Sequence, residues 1–407
     1  MKRTTAWLGL LAVLALPAAE AANQEIRALY QPDPAQPGKN VFVNKTPSTG
    51  YCTSYPADCA AGNRYSFRVP VRFDSVRAIN GNQEVGFKVP ANWRSLTVTN
   101  PVTQKSETVE VRISGIGSEY VLSYPAGYLV GLPGSDFEGH KRLWTTGRWD
   151  APGSNCNWGT QQNAYTPTTY RFFWNTPQEG WCQKRLDQRY RLAEMSFNTV
   201  DFVYELRMPN PLVMSSGLYT GALTYTLGPG GDFEMGPGMQ PNDGSLTLNF
   251  TLDVQHTLKV DLPPGGNKVV LEPAGGWQRW IDGGRRPTEI FRNQPFFLSS
   301  SSRFKVMLQC SSLGGPDCNI GNNQVGYSKF QIRLTMPPGI VGPGGADGWS
   351  STLEYNTWLG PFEPGRYIDR KQGMLRFFIS PRFLDFLKPG MNGTLTGDAT
   401  IIFDSEA

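Results

Sequence analysis

The sequence predicts an all-β protein, and three observations carry that prediction. Glycine and proline supply 77 of the 407 residues, and these poorest of helix formers leave no room for long helices. Hydrophobic residues reach 39% and aromatics 12%, against 18% charged, which suits packed cores in two or three domains rather than a disordered chain. Short stretches alternate apolar and polar residues with the two-residue period of a strand.

At the amino end, Lys2 and Arg3 precede an apolar run from Ala6 to Leu16 and the small-x-small triplet Ala19-Glu20-Ala21. This is the pattern of a cleavable signal peptide over residues 1–21, with an apolar run too short for a membrane span. The remaining chain has a mild positive charge, too small to argue for nucleic acid. A proline-bearing arm, Gln31 to Gly38, follows.

Strand signals then begin. Phe67, Val69, Val71 and Phe73 share one face of an expected strand, as do Val109, Val111 and Ile113. The clearest alternation runs from Ser245 to Val260, with Leu246, Leu248, Phe250, Leu252, Val254, Leu258 and Val260 on one face and His256 as the one polar intruder. So long a run is expected to break near Gln255-His256-Thr257 and pass from one domain to another. The runs Gly228–Gly231, Pro263–Gly266 and Pro337–Gly345 lack the strand, helix and Lys-Ser/Thr pair of a phosphate loop and read as turns.

The six cysteines fall in three local groups, Cys52 with Cys59, Cys156 with Cys182, and Cys310 with Cys318. An oxidising compartment favours these three disulfides. A zinc site would need clustered ligands, and there is no Cys-x-x-Cys and no histidine besides His140 and His256, so no metal and no cofactor is expected. Neither histidine lies near a glycine-framed serine. His256 is expected at a junction and His140 in an exposed loop.

The expectation is therefore a binding protein and not an enzyme. Between residues 140 and 191, Arg142, Arg148, Lys184 and Arg185 interleave with Trp144, Trp149, Trp158, Trp174 and Trp181. Aromatic faces stack on sugar rings and arginine forks hold carboxylates, so Arg142, Arg148, Trp181, Lys184 and Arg185 are candidate receptor contacts for an acidic glycan or glycoprotein. The same residues also suit a β-sandwich core with solvated arginines. A secreted β-sandwich glycoside hydrolase or carbohydrate-binding protein is the alternative, and it calls for two carboxylates about 5–9.5 Å apart.

Three segments carry a resemblance. They are Gly217-Leu218-Tyr219-Thr220-Gly221-Ala222-Leu223-Thr224-Tyr225-Thr226, the alternation from Leu246 to Val260 entering Leu262-Pro263, and the ending Gly393 to Phe403. Together with two early cysteine pairs and one late pair, they resemble the CfaE/CblD family. These are the tip adhesins and biogenesis initiators of class 5 fimbriae, assembled by the alternate chaperone–usher pathway of Gram-negative bacteria.

The resemblance implies two immunoglobulin-like β-sandwich domains: an adhesin domain over residues 22–254, a linker at 255–257, and a pilin domain over 258–407 that lacks one strand. It implies a groove between a first strand bearing Leu258 and Val260 and a last strand in which Leu395, Gly397, Ala399, Ile401 and Phe403 face inward. A periplasmic chaperone would cover that groove until, at the outer-membrane usher, the N-terminal extension of a major pilin subunit replaces it. The chain would reach the fimbrial tip outside the cell and bind a host glycoprotein or glycan receptor.

The family's receptor arginines are not reproduced. Where an arginine precedes the first cysteine this chain offers Lys45, and where an arginine pair follows the Gly-x-Tyr-x-Gly-like run it reads Leu227-Gly228-Pro229-Gly230.

Overall fold

A computed structural model describes residues 22–153, 155–160, 164–311, 313–388 and 392–405. The expected signal peptide lies outside the described residues. The all-β expectation holds: strands dominate, and the longest described helix, Asp136–Arg142, has 7 residues.

The first part of the chain supplies β1 (Ala22–Tyr30), β2 (Tyr65–Val69), β3 (Arg94–Thr99), β4 (Ser106–Leu122), β5 (Thr169–Asn175), β6 (Cys182–Arg185), β7 (Val200–Arg207), β8 (Gly217–Thr226) and β9 (Ser245–Val254). All but β6 belong to one 14-stranded sheet. Its hub is β4, whose 17 residues serve different partners along their length. β3 pairs with Ser106–Val111, β7 with Glu110–Gly117 and β5 with Gly115–Val121. A Cβ on Gly115 or Gly117 would meet the Phe173 ring at 2.5 or 2.7 Å, so glycine is what lets β5 close onto β4 there.

β8 and β9 pair antiparallel over their full ten residues, from Gly217↔Val254 to Thr226↔Ser245. The apolar face of β9 is fully committed: Leu246, Leu248, Phe250, Leu252 and Val254 are each 1% exposed or less. On its other side β9 takes β1 in parallel, from Ala22↔Leu246 to Tyr30↔Val254. Sequence reading missed β1, which buries Ile26, Ala28 and Tyr30 just before the proline-bearing arm.

The single strand expected through Phe67, Val69, Val71 and Phe73 is corrected to two. β2 ends at Val69 and a short strand, Phe73–Ser75, follows. Pro70 stands between them without an N–H for a ladder. β2 pairs with β7, while Phe73–Ser75 joins Met195–Phe197 and Met239–Pro241. All four apolar side chains are nonetheless buried.

The second part supplies β10 (Leu258–Asp261), β11 (Ile290–Ser300), β12 (Phe304–Cys310), β13 (Gly326–Thr335), β14 (Leu359–Pro364), β15 (Ile368–Ile379) and β16 (Ala399–Ser405). One sheet runs β10-β11-β15-β13, and the other runs β14-β12-β16. In the immunoglobulin arrangement, strands A, B, E and D make one sheet and C, F and G the other. In those terms β10, β11, β15 and β13 occupy A, B, E and D, while β12 and β16 occupy C and F, with β14 added beside C. Among the described residues no strand pairs with the outer side of β16, where G would lie.

Two large hydrophobic clusters result, one drawn from Ile26 to Val254 and one from Ile290 to Leu384, with no residue in both. Regular pairing lapses at Gln255–Thr257. His256 stands at that point between the clusters, with Nε2 2.9 Å from the Met214 carbonyl and Nδ1 3.1 Å from Ser301 Oγ. Its ring meets Tyr30 edge-on at 5.5 Å.

Cys52–Cys59, Cys156–Cys182 and Cys310–Cys318 are all bonded, with Cα–Cα distances of 5.6, 5.6 and 5.7 Å. Two of the glycine- and proline-rich runs close as turns, with Gly231 N–H donating to Gly228 and Gly266 N–H to Pro263. Inside the third, Gly345 N–H donates to Gly342.

Candidate functional site

The basic and aromatic stretch between residues 140 and 191 does not form a single surface. Trp144, Trp149, Tyr170 and Trp174 are core residues, each 2% exposed or less. Trp149 sits among them, 4.3 Å from Trp144 and 5.7 Å from Trp174, and its carbonyl accepts the Trp174 indole N–H at 3.0 Å. Trp158 is the exposed tryptophan of this stretch, with the Arg148 guanidinium 5.7 Å from its ring.

The candidate receptor residues separate by the geometry of their elements. Arg142 ends the helix Asp136–Arg142 and is exposed, its Nε donating to Glu138 at 2.9 Å. Arg148 is held by the buried carboxylate of Asp150 at 3.0 Å, which also accepts the Tyr170 hydroxyl at 3.0 Å. Trp181 is half-buried. Arg185 points outward and pairs with Glu84 at 2.6 Å.

Lys184 is corrected from a surface contact to an interior one. Alternate residues of a strand face opposite sides, and in β6 the inward pair is Cys182 and Lys184. Lys184 is 0% exposed, and its ammonium donates to the carbonyls of Arg148 at 2.8 Å and Ala151 at 2.7 Å. Burial pushes its pKa down to about 8.

His140 is likewise corrected: expected in an exposed loop, it is 0% exposed and lies on the helix Asp136–Arg142. The Thr166 carbonyl, 2.8 Å from Nε2, can only accept, so the proton sits on Nε2. Nδ1 then accepts the Tyr120 hydroxyl at 2.7 Å. Burial lowers the His140 pKa and raises that of Tyr120, which keeps this donor and acceptor pattern fixed.

The second candidate site is the pair of sheet edges in the second part. Among the described residues β16 pairs with β12 alone, from Phe304↔Ser405 to Cys310↔Ala399. β10 likewise pairs, among the described residues, with β11 alone, from Leu258↔Ser300 to Asp261↔Phe297. Ala399, Ile401 and Phe403 pack against the second cluster, as do Leu258 and Val260. Phe403 lies 5.8 Å from Phe296 and 6.1 Å from Phe304.

All five remain half-exposed, in contrast to the sealed apolar face of β9. The last strand is shorter than expected, because Thr396 exchanges backbone hydrogen bonds with Gly321 at 2.9 and 3.4 Å. That exchange draws Leu395 and Gly397 away from β12, and β16 starts at Ala399.

Among the described residues no cluster of histidine, cysteine, aspartate and glutamate is arranged to hold a metal ion, and no helix is long and apolar enough to cross a membrane.

The geometry thus defines an all-β, disulfide-pinned chain whose second sandwich leaves both of these edges open. No family model matches the chain, and no curated protein matches it. Among the solved structures similar to it are tip adhesins of chaperone–usher pili. One is CfaE, the adhesive subunit of the CFA/I fimbria of enterotoxigenic Escherichia coli, at 11% identity over 95% of this chain and 94% of that one, with a TM-score of 0.28. Another is a chaperone–tip adhesin complex of CFA/I fimbriae biogenesis, at 12% identity over 95% and 97%, with a TM-score of 0.27. A third is the CsuC–CsuE chaperone–tip subunit pre-assembly complex of the archaic Csu pili of Acinetobacter baumannii, at 9% identity over 94% and 98%, with a TM-score of 0.23.

Proposed function

We propose that the chain is a fimbrial tip adhesin and assembly initiator. In this reading residues 22–254 form the adhesin domain, 255–257 the linker and 258–407 the pilin domain. The pilin domain is held by a periplasmic chaperone, delivered to an outer-membrane usher, and completed by a donor strand from a major pilin subunit. The adhesin domain meets a host glycoprotein or glycan receptor, with Arg142, Arg148, Trp181 and Arg185 as its candidate contacts.

The observation that carries the reading is the half-exposed apolar row Ala399, Ile401 and Phe403 on a β16 that pairs on one side only. An edge strand of this kind is a template for another chain. Adding a strand there would pair the free backbone groups and bury the side chains together with Leu258 and Val260. Ala22–Tyr30 is engaged within the chain's own sheet as β1, which suits a subunit that accepts a strand without donating one.

The glycoside hydrolase alternative has less support. Its general acid needs a raised pKa, whereas Glu25, Glu138, Asp187 and Asp232 are all held below the ordinary carboxyl value, the first three chiefly by hydrogen bonds from arginines.

Co-expression with a periplasmic pilus chaperone tests the proposal. The expected result is a one-to-one periplasmic complex, with little soluble protein when the chaperone is omitted. Equal yields of stable monomer with and without chaperone would contradict it.

A further inference from the structure

A polar cleft of about 680 Å³ lies beside β6, within the roughly 300–1,000 Å³ of small-molecule sites. Its floor is built with more care than an exposed four-residue strand needs for packing alone. β6 pairs with Glu84–Phe87 on one side, and on the other the Thr145 N–H donates to the Arg185 carbonyl at 3.0 Å. Underneath, Cys182 is bonded to Cys156, and the Lys184 ammonium fastens the strand to the carbonyls of Arg148 and Ala151. Gly86 and Gly153 lie directly on the β6 backbone, where a Cβ on either would collide with the carbonyl of Cys182 or Gln183. The outward side chains, Gln183 and Arg185, are thus presented on an anchored strand.

The chemistry of the lining narrows the ligand. Every lining residue is polar, charged or glycine. Its two arginines are each matched by a carboxylate, Arg185 with Glu84 at 2.6 Å and Arg189 with Asp187 at 2.9 Å. An anionic ligand would compete with both carboxylates, and no aliphatic or aromatic side chain lines the cleft to hold a wholly apolar one. The amides of Asn82, Gln183 and Gln188 add donors and acceptors together. Sugar hydroxyls, which donate and accept at once, match such a surface.

We propose that this cleft is a binding site for a neutral oligosaccharide. The inference rests on the receptor-binding reading of the first domain and names its ligand class.

The test uses the full mature chain against immobilised neutral oligosaccharides and the sialylated form of each, beside adhesion to host epithelial cells. The expected result is retention of a neutral oligosaccharide at least ten-fold more strongly than its sialylated form. Arg185→Ala and Gln188→Ala should each lower that retention about ten-fold at unchanged thermal midpoint, while Arg27→Ala on β1 leaves it intact. Cell adhesion that survives both cleft substitutions overturns the cleft and leaves the adhesin reading standing, as does binding to sialylated forms alone. A chain that adheres to no cell and retains no oligosaccharide overturns both.

Discussion

The double substitution Ile401→Asp with Phe403→Asp is expected to cut incorporation of the chain into fibres at least a hundred-fold and to abolish its complex with the chaperone. Both side chains lie on the apolar face of β16, packed against the second cluster yet half-exposed. In the proposed assembly an incoming strand closes over them, which would trap two carboxylates in an apolar groove without a partner. An uncompensated buried charge costs roughly 3–5 kcal/mol, and a factor of one hundred needs only about 2.8 kcal/mol. The control Ile401→Val keeps the apolar surface and should assemble nearly as the parent does. Immunoblotting of sheared fibres and chaperone pull-down measure both outcomes. Incorporation of the double variant at the parent level would remove β16 from the assembly mechanism.

Trp149→Ala is expected to destabilise the part of the chain built on the first cluster by about 3–5 kcal/mol, the range for a large aromatic removed from a core. The side chain is 0% exposed and contacts Trp144, Trp174, Phe172 and Tyr120, with ring centroids 4.3 to 5.7 Å away. Its neighbours are anchored elsewhere: the Trp174 N–H by the Trp149 backbone, Tyr120 by His140. They cannot easily collapse into the space. For a cooperative unit of about 150–250 residues the thermal midpoint should fall on the order of 10 °C. Calorimetry should show the transition of the second cluster unmoved, since the two clusters share no residue. A loss below about 1 kcal/mol would show that the Trp149 side chain does not carry the core packing that its burial and ring contacts describe.

The sequence conveyed some of this directly. The alternation from Leu246 to Val254 gave β9 its inner face, and the same period in Val109, Val111 and Ile113 marked β4. β1 was hidden because its buried face is a short run, Ile26, Ala28 and Tyr30, and its partner, β9, lies more than 200 positions away. Nothing local announces such a pairing.

Lys184 was misplaced because charge alone says nothing about which side of a strand a residue takes. The needed signal was two residues upstream: a disulfide pulls Cys182 inward, so the two-residue period turns Lys184 inward as well. His140 carried no such marker, since its burial depends on Tyr120 and Thr166, each about 20 or more positions away. The open edge at β16 was legible only through resemblance. Alternation in Ala399, Ile401 and Phe403 announces a strand with an apolar face, but not that no strand covers its far side.

The most direct measurement of the central claim is calorimetry of the mature chain with and without a synthetic peptide matching the N-terminal extension of the major pilin. A strand that binds the folded form alone at a hundred times its Kd adds about 2.7 kcal/mol, which for about 150 residues raises a midpoint by roughly 5–10 °C. The account predicts that rise in the transition of the second cluster, with the transition of the first unchanged. Two transitions that both stay in place at saturating peptide would show that β10 and β16 border a sandwich already complete, and would contradict it.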